Sequence, residues 1–135
     1  MTVTVDTSVV VPALASWHES HDVARKACRS VRRLPAHVLM EAISVLTRLP
    51  GGMALDIGSA VTAVRGKFPD EPLALDGAEY VALCGTVAAA GLRGGQVYDA
   101  LVAATVVQYG GRLLSLDTRA VPVYRATGVA YELLR

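Results

Sequence analysis

The chain has 135 residues, 53% of them apolar and 19% charged, with a formal net charge of +1. That balance lets a core form and argues against disorder, and a charge so near zero offers no global attraction to nucleic acid. The length fits a single domain, residues 1–135, able to bury roughly two-thirds of its unfolded surface and to fold without staples.

One Phe and one Trp leave the core to Ala, Val and Leu. Trp17 and Tyr98 are candidates for base stacking, with core packing the expected role of both. Cys28 and Cys84 lack CxxC spacing and read as buried thiols of a reducing compartment. No run reaches the roughly 20 apolar residues of a membrane span. The longest candidate, residues 97–111, is broken by Asp99 and Gln108. Residues 1–6 lack the basic and long apolar parts of a signal peptide. A cytoplasmic domain without membrane contact is expected.

In chain order, Val3-Thr4-Val5 is β-branched and runs into Asp6-Thr7-Ser8, a strand ending in helix-capping residues. Residues 9–17 read as a short apolar helix, with Pro12 tolerated only in the first turn. Residues 18–33 carry Val23, Ala24, Ala27, Cys28 and Val31 at helical spacing. Pro35 opens a helix over 36–49, and Pro50-Gly51-Gly52 stops it. A further helix is expected over 54–68 and a short strand over 72–75. Asp76 then caps a helix over 77–90. Gly94-Gly95 precedes a helix over 96–109. Residues 112–116 form a strand, Asp117-Thr118 a cap, 119–127 a helix and 129–133 an edge strand. Strands separated by helices predict an α/β fold, a three-layer α/β/α sandwich around a mainly parallel sheet.

Four of the twelve carboxylates stand where a carboxylate is unwelcome. Asp6 and Asp117 end apolar strands, Glu41 interrupts Val38-Leu39-Met40-Glu41-Ala42-Ile43, and Asp99 lies in the first turn of the most apolar helix. Singly, Asp6 and Asp117 could be caps, Asp99 a complement to its helix dipole, and Glu41 a partner of His37 one turn earlier. Together they read differently. In a parallel sheet Asp6 and Asp117 share the carboxyl edge, where open α/β sheets place ligands. Converging carboxylates repel one another unless divalent cations lie between them, and an all-oxygen set points to Mg²⁺, with Mn²⁺ able to substitute. His18-x-x-His21 lacks a third ligand for zinc, and Ser8 and Ser115 have no His base for a hydrolase triad.

These motifs resemble those of PIN domains. Asp6-Thr7-Ser8 is similar to the opening motif, and the segment from Pro35 to Glu41 to the second acidic helix. Val97-Tyr98-Asp99-Ala100 is similar to the third motif and Leu114-Ser115-Leu116-Asp117 to the fourth. The order and spacing hold over essentially the whole chain, whose compactness resembles the VapC-type toxins of toxin–antitoxin pairs. The resemblance implies a Mg²⁺-dependent endoribonuclease, usually a homodimer, neutralised by a cognate VapB-type antitoxin. It implies Asp6, Glu41, Asp99 and Asp117 as catalytic carboxylates, with Asp6, Asp99 and Asp117 on the metal and Ser8 and Ser115 as polar neighbours. Thr118-Arg119-Ala120 supplies neither the further acid nor the aromatic that often follows the fourth motif, which argues against a second tightly held metal.

An acidic pocket repels RNA, so basic residues must hold the strand. Arg25, Arg29, Arg32 and Arg33 share one face if their segment is helical. Arg25, Arg29 and Arg32, with Arg119, are the candidates for phosphate contact. The rival readings are an inactive PIN-fold interaction module, a metal-dependent DNA nuclease, and a phospho-receiver domain. The last needs an acidic pair and a strand-end lysine that this chain lacks.

Overall fold

The computed structural model describes all 135 residues. Three parallel strands, β1 (Val3–Val5), β2 (Arg112–Ser115) and β3 (Ala130–Leu133), form a sheet in the order β1-β2-β3. Val5 stands opposite Leu114, and Ser115 opposite Leu133. Successive residues Thr4 and Val5, and Leu113, Leu114 and Ser115, are all buried. Neighbours on a strand point to opposite faces, so both faces are covered by helices, the three-layer sandwich expected of a parallel sheet.

The helices are α1 (Thr7–Leu14), α2 (His21–Ala27), α3 (Ala36–Leu46), α4 (Ile57–Lys67), α5 (Gly77–Ala89), α6 (Gly95–Gln108) and α7 (Val121–Thr127). A 3₁₀ turn, Thr118–Ala120, leads into α7. α1 packs on β1, β2, α2 and α3, while α6 packs on β2, α3, α5 and α7. Phe68, Leu34, Leu46 and Leu113 are fully buried among valines and alanines, the aliphatic core that the composition dictates.

Four local expectations yield to tertiary packing. Pro12 lies beyond the first turn of α1 and withdraws one backbone bond, yet Val9, Val10, Val11 and Ala13 are all buried, and their burial holds the helix. The segment expected to be helical over 18–33 is helical only over His21–Ala27. Val31 and Leu34 are drawn into the core, and Arg32 and Arg33 turn to the loop after α4. No shared arginine face forms. Residues 72–75 make one bridge, Pro35 to Leu73, rather than a strand, because Pro72 cannot donate to a ladder. Cys28 is buried, but Cys84 is exposed on α5, none of whose residues is buried.

Entry into the central strand is tight. A Cβ at Gly111 would meet the Thr2 carbonyl oxygen at 2.8 Å and the Val106 side chain at 3.2 Å. That carbonyl accepts the Arg112 N–H, also at 2.8 Å, so it is not free to move away. Gly111→Ala should therefore cost about 1–3 kcal/mol of folding stability. A lower denaturant midpoint at unchanged slope would show it; an unchanged midpoint would contradict the close approach.

Candidate active site

Parallel pairing brings the first and fourth motifs together. The Asp6 N–H donates to the Leu114 carbonyl, which extends the ladder one residue past β1 and sets the Asp6 side chain at the carboxyl edge of the sheet. Asp6 caps α1, accepting from the Ser8 N–H at 3.1 Å and from the Ser8 hydroxyl on the same oxygen. Its other oxygen accepts from the Tyr124 hydroxyl at 2.7 Å. Asp117 caps the 3₁₀ turn two residues past β2 and takes the Arg119 N–H at 3.0 Å.

The two serines bolt these motifs to each other. Ser8 Oγ accepts from Leu116 N–H at 2.8 Å, Ser115 Oγ accepts from Asp117 N–H at 3.0 Å, and the two oxygens lie 3.4 Å apart. Ser115 is wholly buried. It therefore supports the site from beneath and does not reach a phosphate or a solvent water.

The third and fourth carboxylates come from helices. Gly94, at φ +58°, starts α6 at Gly95, so Asp99 falls just beyond the first turn rather than within it. Glu41 projects from α3. The Thr7 hydroxyl donates to its Oε1, and His37 Nε2 stands 3.7 Å from its Oε2 without a hydrogen bond. The Glu41 side chain is 42% exposed despite its apolar neighbours in sequence, and its hydrogen-bond partner is Thr7 rather than His37. α3 turns that position outward.

Asp6, Glu41, Asp99 and Asp117 line one small cavity of about 50 Å³, with Thr7, Ser8, His37, Tyr98 and Tyr124. A wider cleft of about 490 Å³ adjoins it, sharing Thr7, Ser8, Glu41 and Asp117 and edged by His18, Ser20 and Arg119. Crowding is felt electrostatically. Asp99 is pushed up to about 6, first by burial and then by Asp117, Asp6 and Glu41, with Arg119 opposing. Burial also raises Asp6, against the pull of the Ser115, Ser8 and Tyr124 hydroxyls. Burial drives the Tyr124 phenol far above its usual range, so it stays a proton donor to Asp6.

These oxygens suit a hard divalent cation, since mutual repulsion among them is what such an ion would relieve. No three His, Cys, Asp or Glu side chains form a ready-made cage, however. That is compatible with Mg²⁺, which keeps several waters and takes one or two carboxylates. His18 Nδ1 accepts from Ser20 N–H, His21 Nδ1 lies 2.8 Å from the Pro12 carbonyl, and no third His, Cys, Asp or Glu joins the two rings in a set that could hold zinc.

Among the basic candidates, Arg119 stands at the cleft, 93% exposed and 3.6 Å from Asp117. Arg32 is paired with Asp70, and Arg33 binds the Glu71 carbonyl and covers the Tyr109 ring. Arg25 and Arg29 are exposed and form no ion pair, but they do not line the acidic cavity.

Residues 3–126 match the family described as PIN domain. The chain belongs to the PIN-domain family. The chain is 40% identical over 133 residues to "Ribonuclease VapC40" of Mycobacterium tuberculosis (strain CDC 1551 / Oshkosh), covering 96% of each chain. It is 38% identical over 127 residues to "Ribonuclease VapC27" of Mycobacterium tuberculosis (strain ATCC 25618 / H37Rv), covering 93% of this chain and 91% of the relative. The VapC-type reading of the motifs rests on these relatives as well as on the residues.

Tyr124 lines the acidic cavity and was missed by sequence reasoning, as was Thr7. The one signal for Tyr124 was general: a buried tyrosine hydroxyl needs a partner, and the sequence does not say which. Tyr124→Phe should cost about 1–3 kcal/mol in chemical denaturation, because a buried carboxylate loses a donor. The Asp99 shift gives a second expectation. With the ordinary value at 3.8 and the folded value about 6, the native state holds the extra proton between them. The stabilisation from Asp99 is thus full below the lower value and is lost as pH rises through the upper one. Metal-free protein should melt at a lower temperature at pH 7.5 than at pH 5, and Asp99→Asn should shrink that difference. An equal difference in the variant would count against the shift.

Proposed function

We propose that this chain, as a single nuclease domain over residues 1–135, is a Mg²⁺-dependent endoribonuclease and the toxin of a type II toxin–antitoxin pair. The observation that carries the proposal is the gathering of Asp6, Glu41, Asp99 and Asp117 at one cavity on the carboxyl edge of the sheet. The likeness to VapC ribonucleases supports the substrate class.

Asp6, Asp99 and Asp117 are the residues that would hold the cation, with Mn²⁺ as a substitute. Bound there, it supplies Lewis-acid polarisation of the scissile phosphate and a more acidic attacking water. Glu41 orients that water through Oε2, since Oε1 is already engaged by Thr7. Ser8, Ser115 and Tyr124 keep Asp6 and Asp117 in place. Arg119 meets a phosphate oxygen at the edge of the wider cleft, and Arg25 and Arg29 offer weaker, outlying charge. Water forms the new bond to phosphorus, the 3′ oxygen leaves and takes a proton, and the products are 5′-phosphate and 3′-hydroxyl ends.

The partners follow from the same reading. A VapB-type antitoxin would set a basic side chain among the four acids, relieving the repulsion that raises Asp99. A second copy of the chain would cover part of α5, which buries none of its residues and exposes Val81 by 73%. The proposed place of action is the cytoplasm; no helix is long and apolar enough to cross a membrane.

The first test is cleavage of end-labelled total RNA, with and without Mg²⁺, by the wild type and Asp99→Asn. Cleavage that requires the metal and falls to background in the variant is expected, with 5′-phosphate fragment ends. Ends bearing 2′,3′-cyclic phosphate would reject the water mechanism, and equal cutting of single-stranded DNA would move the substrate away from RNA alone. Arg119→Gln should weaken RNA binding and lower the slope of log affinity against log salt by about one unit or less.

A further inference from the structure

Tyr98 does not do what its neighbours do. On α6, Ala100, Val102, Ala103 and Val106 are buried, whereas Tyr98 is 53% exposed. An aromatic ring left in water forgoes burial worth roughly 25 cal/mol per Å². Yet the ring is not loose. It lies parallel to His37, the ring centres 4.7 Å apart and the planes within 4°. Tyr98 and His37 both line the acidic cavity, and Tyr98 directly precedes Asp99.

Tyr98 also walls a second cleft of about 220 Å³, whose lining includes Tyr80, Leu83, Val97 and Leu101 and no charged residue. A phosphate gains nothing there. Beside four carboxylates, an anionic group is repelled, while a neutral flat ring approaches without that cost. The place adjoining the acidic cavity is thus fitted for a base rather than for backbone.

Resting on the ribonuclease reading above, we propose that the Tyr98 ring, backed by His37, is a stacking platform for an unpaired nucleobase next to the cleaved phosphate. Stacking uses the π-face that every base has, so the platform selects for single-stranded RNA over duplex without demanding one base. The parallel packing on His37 has already ordered the ring, so less side-chain entropy is lost on binding.

The test is binding, not turnover. A fluorescent RNA oligonucleotide spanning a mapped cleavage site is titrated with Asp99→Asn protein, alone and combined with Tyr98→Phe or Tyr98→Leu. A second oligonucleotide has an abasic nucleotide beside the scissile phosphate. Tyr98→Leu should weaken binding of the intact oligonucleotide roughly 5- to 150-fold, as loss of one base–aromatic stack does. Tyr98→Phe should bind nearly as Tyr98 does. The abasic oligonucleotide should bind all three proteins alike.

Three results would overturn the platform: no loss with Tyr98→Leu, an equal loss on both oligonucleotides, or a change in sedimenting mass that places Tyr98 in a subunit interface. Failure of the Asp99→Asn protein to bind any RNA would instead bring down the ribonuclease reading itself.

Discussion

The Asp6 carboxylate, buried at the end of β1, is the group around which the molecule is organised. Its burial disfavours charge, and the fold answers with two hydroxyl donors to the carboxylate, Ser8 in α1 and Tyr124 in α7, while the Asp6 backbone N–H, a third donor, bonds the Leu114 carbonyl of β2. Each donor ties a separate element to the sheet edge, so satisfying one charge also assembles the first motif, the fourth motif and α7. A cavity lined by four acids is the outcome. It is left with repulsion that no protein cation nearby fully relieves, since Arg119 is almost entirely in solvent.

That unresolved repulsion links structure to chemistry. A domain selected for stability alone would not hold Asp99 with its carboxyl raised to about 6 beside Asp6, Asp117 and Glu41. Clusters of this kind are found where binding a cation or a basic partner recovers the cost. The same free energy therefore serves two ends in the proposed function, holding the metal during cleavage and holding the antitoxin when cleavage is silenced. Competition between the two follows from their sharing the site.

In the proposed function the charged and aromatic surroundings divide the work of holding RNA. Arg119 faces the wider cleft, whereas Arg32 and Arg33 are spent on the loop after α4 and serve the fold. Tyr98, stacked on His37, supplies an aromatic surface beside the acids, where phosphate contacts are disfavoured. RNA binding as proposed does not need a strongly basic protein, which agrees with a net charge of only +1.

Much of this was legible in the sequence because it depends on short-range rules. β-Branched runs ending in Asp marked β1 and β2, capping residues marked α1 and α5, and parallel pairing then required Asp6 and Asp117 to share an edge. Carboxylates in apolar surroundings stood out because burying charge is costly. The sequence determined the layered fold, the order of the elements and the four acids. Tertiary structure decided what depends on distant contacts: the early end of α2, the outward turn of Glu41, the exposure of Tyr98 and Cys84, and the closure of Tyr124 onto Asp6 across 118 positions of chain. Periodicity reports which face of an element is apolar. Which partner reaches that face, and which polar group it brings, is settled only when the layers pack.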